Sequence, residues 1–281
     1  MPAAGGGVVD EGHRIGAGVD ATVGEVTPVR FVGAGPGAAD LLTVRATRLL
    51  AEADLVLYPG TYLDPAVLEH CSPAAELVDT QGLDLDQIVD RLVAGQAAGL
   101  TVVRLVSGDP SLYSAVSEQT RRLDAAGVAW DVVPGVPAYA AAAALLGSEL
   151  TVPLVAQSVV LTRVQARSTA MPESESLAAF AATGATLVLH LAITRIGEVM
   201  TELAPRYGTD CPVAVVYRAS QPDQLVLRGT VADIADAVQA AGLRQAAVIL
   251  VGRALALRPD PCAGESHLYD PARVRGVPPE R

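Results

Sequence analysis

Val29-Arg30-Phe31-Val32-Gly33-Ala34-Gly35-Pro36-Gly37-Ala38 is the stretch that sets the fold class. Its first four residues form a short, mostly apolar strand interrupted by Arg30, and the next six form a turn that glycine allows to bend sharply. Beyond the turn, Leu42, Ala46, Leu49 and Leu50 recur at helical spacing, so a helix is expected over 41–53. Strand, tight turn and helix in that order open an α/β unit.

The same grammar continues along the chain. Strands are expected over 54–58, 100–106 and 129–133, with helices over 85–98, 111–126 and 138–146, the last rich in alanine. After 147–153 the pattern restarts. Strands follow at 157–162, 186–191, 212–217, 224–229 and 246–251, with helices at 196–203 and 231–241 and a polar loop running through Glu175. Short links between neighbouring strands predict a mixed sheet in this second half. The expectation is therefore two α/β domains, 28–147 and 148–257. Residues 1–27 lack periodicity and are expected to be a disordered extension or an over-extended start. Residues 258–281, rich in proline, are expected to be a loosely attached tail.

Composition narrows the function. The 281 residues are 51% hydrophobic and 18% charged, enough to bury a large core. No apolar run approaches the roughly 20 residues of a membrane span, and no basic and apolar leader precedes the first strand. The formal charge is −11, and every basic residue is arginine. Such a surface disfavours nucleic acid and anionic membranes as partners. Cys71, Cys211 and Cys262 are far apart, as are His13, His70, His190 and His267. That pattern predicts reduced thiols, no metal site and a cytoplasmic setting.

Three turns carry the chemistry. Gly33–Ala38 satisfies the dinucleotide spacing G-x-G-x-x-G/A, but that chemistry also needs an acid about 20 residues on to hold the ribose. The second strand ends instead in Leu57-Tyr58-Pro59-Gly60, and Pro36 removes a backbone donor from the loop. The second turn, Ser107-Gly108-Asp109-Pro110, places Asp109 at a carboxyl strand end, where open α/β sheets hold ligands. Taken alone, Asp109 reads first as an Asx or N-cap residue for the helix after it. The third turn is Pro134-Gly135-Val136-Pro137. Three such bends along one sheet rim predict a binding cleft without identifying its ligand.

Read together, GAGPGAADLLTVRA from Gly33, SGDPSLY from Ser107 and VVPGVPA from Val132 resemble three motifs of the tetrapyrrole methylases of corrin and siroheme synthesis. QSVVLTR from Gln157, MPESESLAAFA from Met171, ATLVLHLAI from Ala185, PVAVVYRASQPDQ from Pro212 and AAVILVGRAL from Ala246 follow in the family's order, so the resemblance spans about residues 29–257. The LTR, MPE and VVYRASQPDQ segments are most similar to the branch that acts on precorrin-4.

The resemblance implies the tetrapyrrole methylase fold, in which a cleft between two α/β domains holds S-adenosyl-L-methionine. It implies C-methylation of a corrin precursor, precorrin-4 or its cobalt form at carbon 11, by a homodimeric enzyme of cobalamin synthesis. By matching positions, the cofactor contacts are expected at Pro36, Ser107, Gly108, Asp109, Leu112, Pro137 and Ala138, then Leu191, Ala219 and Ala247. The small and apolar members suit an adenine pocket, although Leu191, Ala219 and Ala247 also fit ordinary strand core.

Methyl transfer from a sulfonium is an in-line displacement, so alignment and exclusion of water are the main demands and no nucleophilic triad is expected. Asp109 is the candidate catalytic residue, either orienting the cofactor by charge or removing a substrate proton. A polycarboxylate substrate on an acidic protein calls for local arginine forks. Arg45, Arg163, Arg167, Arg195 and Arg218 are the candidates, because each lies in or beside a matched motif. Methylation of another tetrapyrrole (uroporphyrinogen III or precorrin-3B), a nicotinamide or flavin oxidoreductase, and a non-catalytic metabolite-binding regulator remain the alternatives at this point.

Overall fold

The computed structural model describes residues 27–61, 63–164 and 170–256. The expectations for the N-terminal extension up to residue 26 and for the tail from residue 258 lie outside the described residues.

The first half builds strands β1 (Val29–Gly33), β2 (Leu55–Tyr58), β3 (Glu76–Asp79), β4 (Val102–Val106) and β5 (Trp130–Val133), with helices α1 (Val44–Ala51), α2 (Leu85–Ala97) and α3 (Val116–Ala125). The strands form one sheet, β3-β2-β4-β1-β5, with every pairing parallel. Helices cover both faces. Val32, Val56, Val103 and Leu105 pack towards Ala46 and Leu50 of α1, while Phe31, Leu55, Leu57 and Val102 pack towards Ile88 and Leu92 of α2 and Leu123 of α3. Each fully buried Leu or Phe stabilises the fold by roughly 1.5–3 kcal/mol.

The strand order matters for function. β4, β1 and β5 lie side by side, so the glycine and proline turns that follow them emerge next to one another at the carboxyl edge. A buried cation fixes α3 against this sheet. The Arg104 guanidinium of β4 donates to Gln119 Oε1 at 3.2 Å and to the carbonyls of Leu105 at 2.9 Å and Leu57 at 3.4 Å. Burial pushes its pKa down to about 10, which leaves it charged at neutral pH.

Two expected helices of this half start later than their sequence pattern. Residues 34–42 continue the turn with one 3-10 turn, Ala39–Leu41, and α1 starts only where the Thr43 hydroxyl accepts from Ala46 N at 3.1 Å. α3 starts at Val116 rather than Ser111, because Tyr113 and Ala115 adopt left-handed backbone conformations that end any helix. β3 has no counterpart in the sequence reading. It pairs on one side only and is largely exposed, so it carries no buried alternation to detect.

The second half contains β6 (Val159–Arg163), β7 (Thr186–His190), β8 (Pro212–Tyr217), β9 (Leu225–Thr230) and β10 (Ala247–Val251). Their order is β6-β7-β10-β8-β9. β6 and β7 are parallel and the remaining pairs antiparallel, the mixed sheet expected. Helices α5 (Leu177–Ala181), α6 (Ile196–Tyr207) and α7 (Ile234–Ala240) cover one face, over Leu187, Leu189, Val213, Val215 and Ile249.

The other face is covered by α4 (Ala138–Leu146), whose Ala141, Ala142 and Leu146 pack on Val188, Ala214, Val216, Val248 and Leu250. α4 leaves the third turn of the first sheet and lies on the second sheet, so it ties the two units together. Its alanines let it approach the strands closely.

Candidate functional site

The three turns touch through their backbones. Gly35 and Gly108 exchange hydrogen bonds, Gly108 N donating to Gly35 O at 2.8 Å and Gly35 N to Gly108 O at 3.1 Å. A Cβ on Gly33 would lie 2.5 Å from Gly135 Cα, and one on Gly135 would lie 2.2 Å from Gly108 O. These are backbone obstacles, so glycine at Gly33 and Gly135 is required by close approach.

Asp109 locks the arrangement. Its Oδ2 accepts from Gly135 N of the third turn at 2.8 Å, and its Oδ1 accepts from Ser111 N at 2.9 Å and from the Ser111 hydroxyl. Burial alone would raise the Asp109 pKa. The bonds from the Ser111 hydroxyl, Gly135 N–H and Ser111 N–H outweigh it, and the carboxyl is held below the usual range. Asp109 is an ionised strut between the second and third turns.

Facing these turns across the seam are the ends of β7, β8 and β10. Between the two walls lies a cavity of about 430 Å³, a size typical of small-molecule sites. All ten positions expected to contact a cofactor line it: Pro36, Ser107, Gly108, Asp109, Leu112, Pro137 and Ala138 on one wall, and Leu191, Ala219 and Ala247 on the other. Leu191 is a large apolar residue left 63% exposed, so it is not ordinary strand core. Strain gathers here too. Tyr113, Leu191, Arg218 and Ala246, four cavity-lining residues, have positive φ without being glycine. Such backbone costs about 1–3 kcal/mol each and persists where the surroundings dictate it.

The seam is bonded. Ala38 N donates to Ser220 Oγ at 3.1 Å, and Gln221 Nε2 donates to Pro36 O at 3.4 Å. Gly37 leaves room for this contact, because a Cβ there would stand 2.3 Å from the Gln221 side chain. Gln221 Oε1 in turn accepts from Arg218 Nε at 2.7 Å, and Arg218 also pairs with Asp223 at 3.0 Å.

The arginines expected to hold substrate are scattered. Arg218 lines the cavity. Arg163 and Arg195 line a neighbouring groove together with Met171, Glu173 and Glu175, and Arg195 is ion-paired to Glu198. Arg45 is exposed on α1, where its charge acts on Asp131. Arg167 lies outside the described residues. Sequence reasoning missed Tyr113, His190, Gln221 and Arg244, which also line the cavity. Tyr113 and His190 meet ring to ring across the seam at 5.3 Å. Burial lowers the His190 pKa, so its imidazole is neutral at neutral pH, and its Nε2 is buried with no hydrogen-bond partner among the described residues.

Neither described cysteine lines the cavity, and Cys211 is buried with its thiol pushed up to about 11. Among the described residues no helix is long and apolar enough to cross a membrane, and no cluster of His, Cys, Asp or Glu is arranged to hold a metal.

Two α/β units enclosing a seam cavity between glycine turns and a mixed sheet define the class. The family model for tetrapyrrole (corrin/porphyrin) methylases matches residues 28–235, and the chain belongs to that family. A precorrin-4 C(11)-methyltransferase from Rhodococcus erythropolis is 55% identical over 247 residues, 88% of this chain and 98% of the relative. A solved cobalt precorrin-4 methyltransferase superposes with a TM-score of 0.79 at 40% identity, covering 82% of this chain and 96% of the other. The uroporphyrin-III C-methyltransferase of Thermus thermophilus, solved with S-adenosylhomocysteine, gives 0.68 at 30% identity, covering 81% and 98%. The oxidoreductase alternative falls with this membership, and β2 runs into Pro59 and Gly60 with no acid to hold a ribose.

Proposed function

We infer that this chain is an S-adenosylmethionine-dependent methyltransferase of cobalamin synthesis that methylates precorrin-4 at carbon 11. One observation carries the reading: ten residues from two separate sheets and three turns line a single cavity between them. The residues fit the donor. Apolar Leu191, Val216, Ala219 and Val248 offer a wall for an adenine, backbone turns offer polar groups for its edges, and ionised Asp109 gives the first-unit wall a negative charge that favours a sulfonium. Bound there, the donor supplies a methyl group already activated on sulfur.

The protein's own work is positioning. The three turns and the seam bonds hold the cavity walls at fixed separation, and the apolar lining keeps water from the sulfonium. A metal-free substrate is the better reading. The relative named for precorrin-4 is 55% identical, whereas the solved enzyme named for cobalt precorrin-4 is 40% identical. We place the enzyme in the cytoplasm as a homodimer, with the tetrapyrrole as its small-molecule partner.

The test is incubation with methyl-labelled S-adenosylmethionine and, separately, precorrin-4, cobalt-precorrin-4, precorrin-3B and uroporphyrinogen III. Label at carbon 11 of precorrin-4, located by NMR, is the expected result. Label on a different carbon, or binding of S-adenosylhomocysteine with no turnover on any of the four, overturns the assignment.

A further inference from the structure

Methyl transfer to a ring carbon leaves a proton to be removed. As the carbon–sulfur bond breaks, its electron pair stays on sulfur and neutral S-adenosylhomocysteine forms. Two π electrons of the ring make the new carbon–carbon bond. The ring is left with one positive charge, discharged when an N–H or C–H proton departs. Some group must take that proton in a cavity built to exclude water.

The ionisable side chains lining the cavity are Asp109, Tyr113, His190, Arg218 and Arg244. The arginines are cations and take no proton. Both Asp109 oxygens are already bonded to Ser111 and Gly135, which holds the carboxyl in its ionised, weakly basic form. The Tyr113 phenol is pushed up, chiefly by burial, so it stays protonated. His190 is different. It stands at the end of β7 beside Leu191, burial keeps it uncharged, and its buried Nε2 has no hydrogen-bond partner among the described residues.

We propose that His190 is the proton acceptor of the methyl-transfer reaction, held in place by the Tyr113 ring that closes over it from the other wall. The assignment rests on the methyltransferase reading given above. The surroundings suit the task. On one side β6 sets Arg163 in register with His190, and Arg163 and Glu175 also act on the Tyr113 phenol. On the other side β10 brings apolar Val248 into the same wall. Glu175 is the carboxylate on the Tyr113 side, and no carboxylate pairs with the buried His190 Nε2, while Tyr113 beside it is 47% exposed and leaves the proton a way out to solvent.

The test compares wild type with His190→Gln and His190→Phe in single-turnover methylation of precorrin-4 from about pH 5.5 to 8.5, spanning the ordinary histidine range. Wild-type turnover should fall on the acid side, where the imidazole is already protonated. Both variants should be slower by about a hundredfold and lose that acid limb. S-adenosylhomocysteine should still bind both variants by calorimetry, because the proton transfer follows donor binding. An unchanged rate, or an acid limb retained in His190→Gln, overturns the proposal. So does loss of S-adenosylhomocysteine binding in both variants, which would make the residue structural. If wild type itself binds S-adenosylhomocysteine but methylates nothing, the methyltransferase reading fails rather than the assignment of His190.

Discussion

Asp109 commits both carboxylate oxygens to its own wall of the cavity. That geometry favours orientation over proton transfer, the two roles its motif leaves open. Asp109→Asn replaces one acceptor with an NH₂ that would face Gly135 N–H or Ser111. The dissociation constant for S-adenosylhomocysteine should rise about tenfold and the thermal midpoint should drop by about 2–5 °C. Because the folded pKa lies below the ordinary carboxylate value, this stability is present above about pH 4 and disappears as pH falls through the folded value. The midpoint difference between wild type and variant should therefore be flat from about pH 5 upward and shrink in stronger acid. Full S-adenosylhomocysteine affinity with turnover abolished would instead make Asp109 the base and displace His190.

The turns are the elements on which the cavity depends, and their glycines differ sharply from others in the chain. Gly135→Ala drives a Cβ to within 2.2 Å of a backbone oxygen that cannot swing away. It should lower the thermal midpoint by roughly 6–12 °C, equivalent to about 3 kcal/mol, and weaken S-adenosylhomocysteine binding. Gly197, in α6, faces open space with ordinary backbone. Gly197→Ala should leave binding untouched and stabilise by up to about 1 kcal/mol; equal effects at the two sites would refute the packing argument. These turns were legible because glycine and proline announce backbone geometry directly. The start of α3 was not legible, because an apolar period through residues 111–126 carries no sign that Tyr113 and Ala115 are left-handed. His190 was hidden for a similar reason: one histidine closing an apolar strand looks like core until Tyr113 is placed opposite it. The substrate arginines were chosen by nearness to motifs in the chain, and nearness in space proved different. Arg45 lies on α1 beside Asp131, while the unremarked Arg244 stands at the cavity.

At the scale of the whole molecule, the site exists only because two sheets are held at one separation. α4 anchors one side of the seam, lying on the second sheet while growing from the third turn of the first. The opposite side rests on a small set of groups: Ser220 and Gln221 bonded to Ala38 and Pro36, with Gly37 making room. These bonds add little to either core, so removing them should leave both units folded. The double variant Ser220→Ala, Gln221→Ala should lose roughly 6–12 °C in thermal midpoint, since it removes three hydrogen bonds, Ala38 to Ser220, Gln221 to Pro36 and Arg218 to Gln221, worth about 1 kcal/mol each. Donor binding should suffer as well, because a ligand that touches both walls must then order the seam as it binds. The expected result is a rise of about tenfold in the S-adenosylhomocysteine dissociation constant with far-ultraviolet circular dichroism unchanged. Unaltered affinity would mean that α4 alone sets the separation of the walls and that the Gln221 contact with Pro36 has no part in building the site.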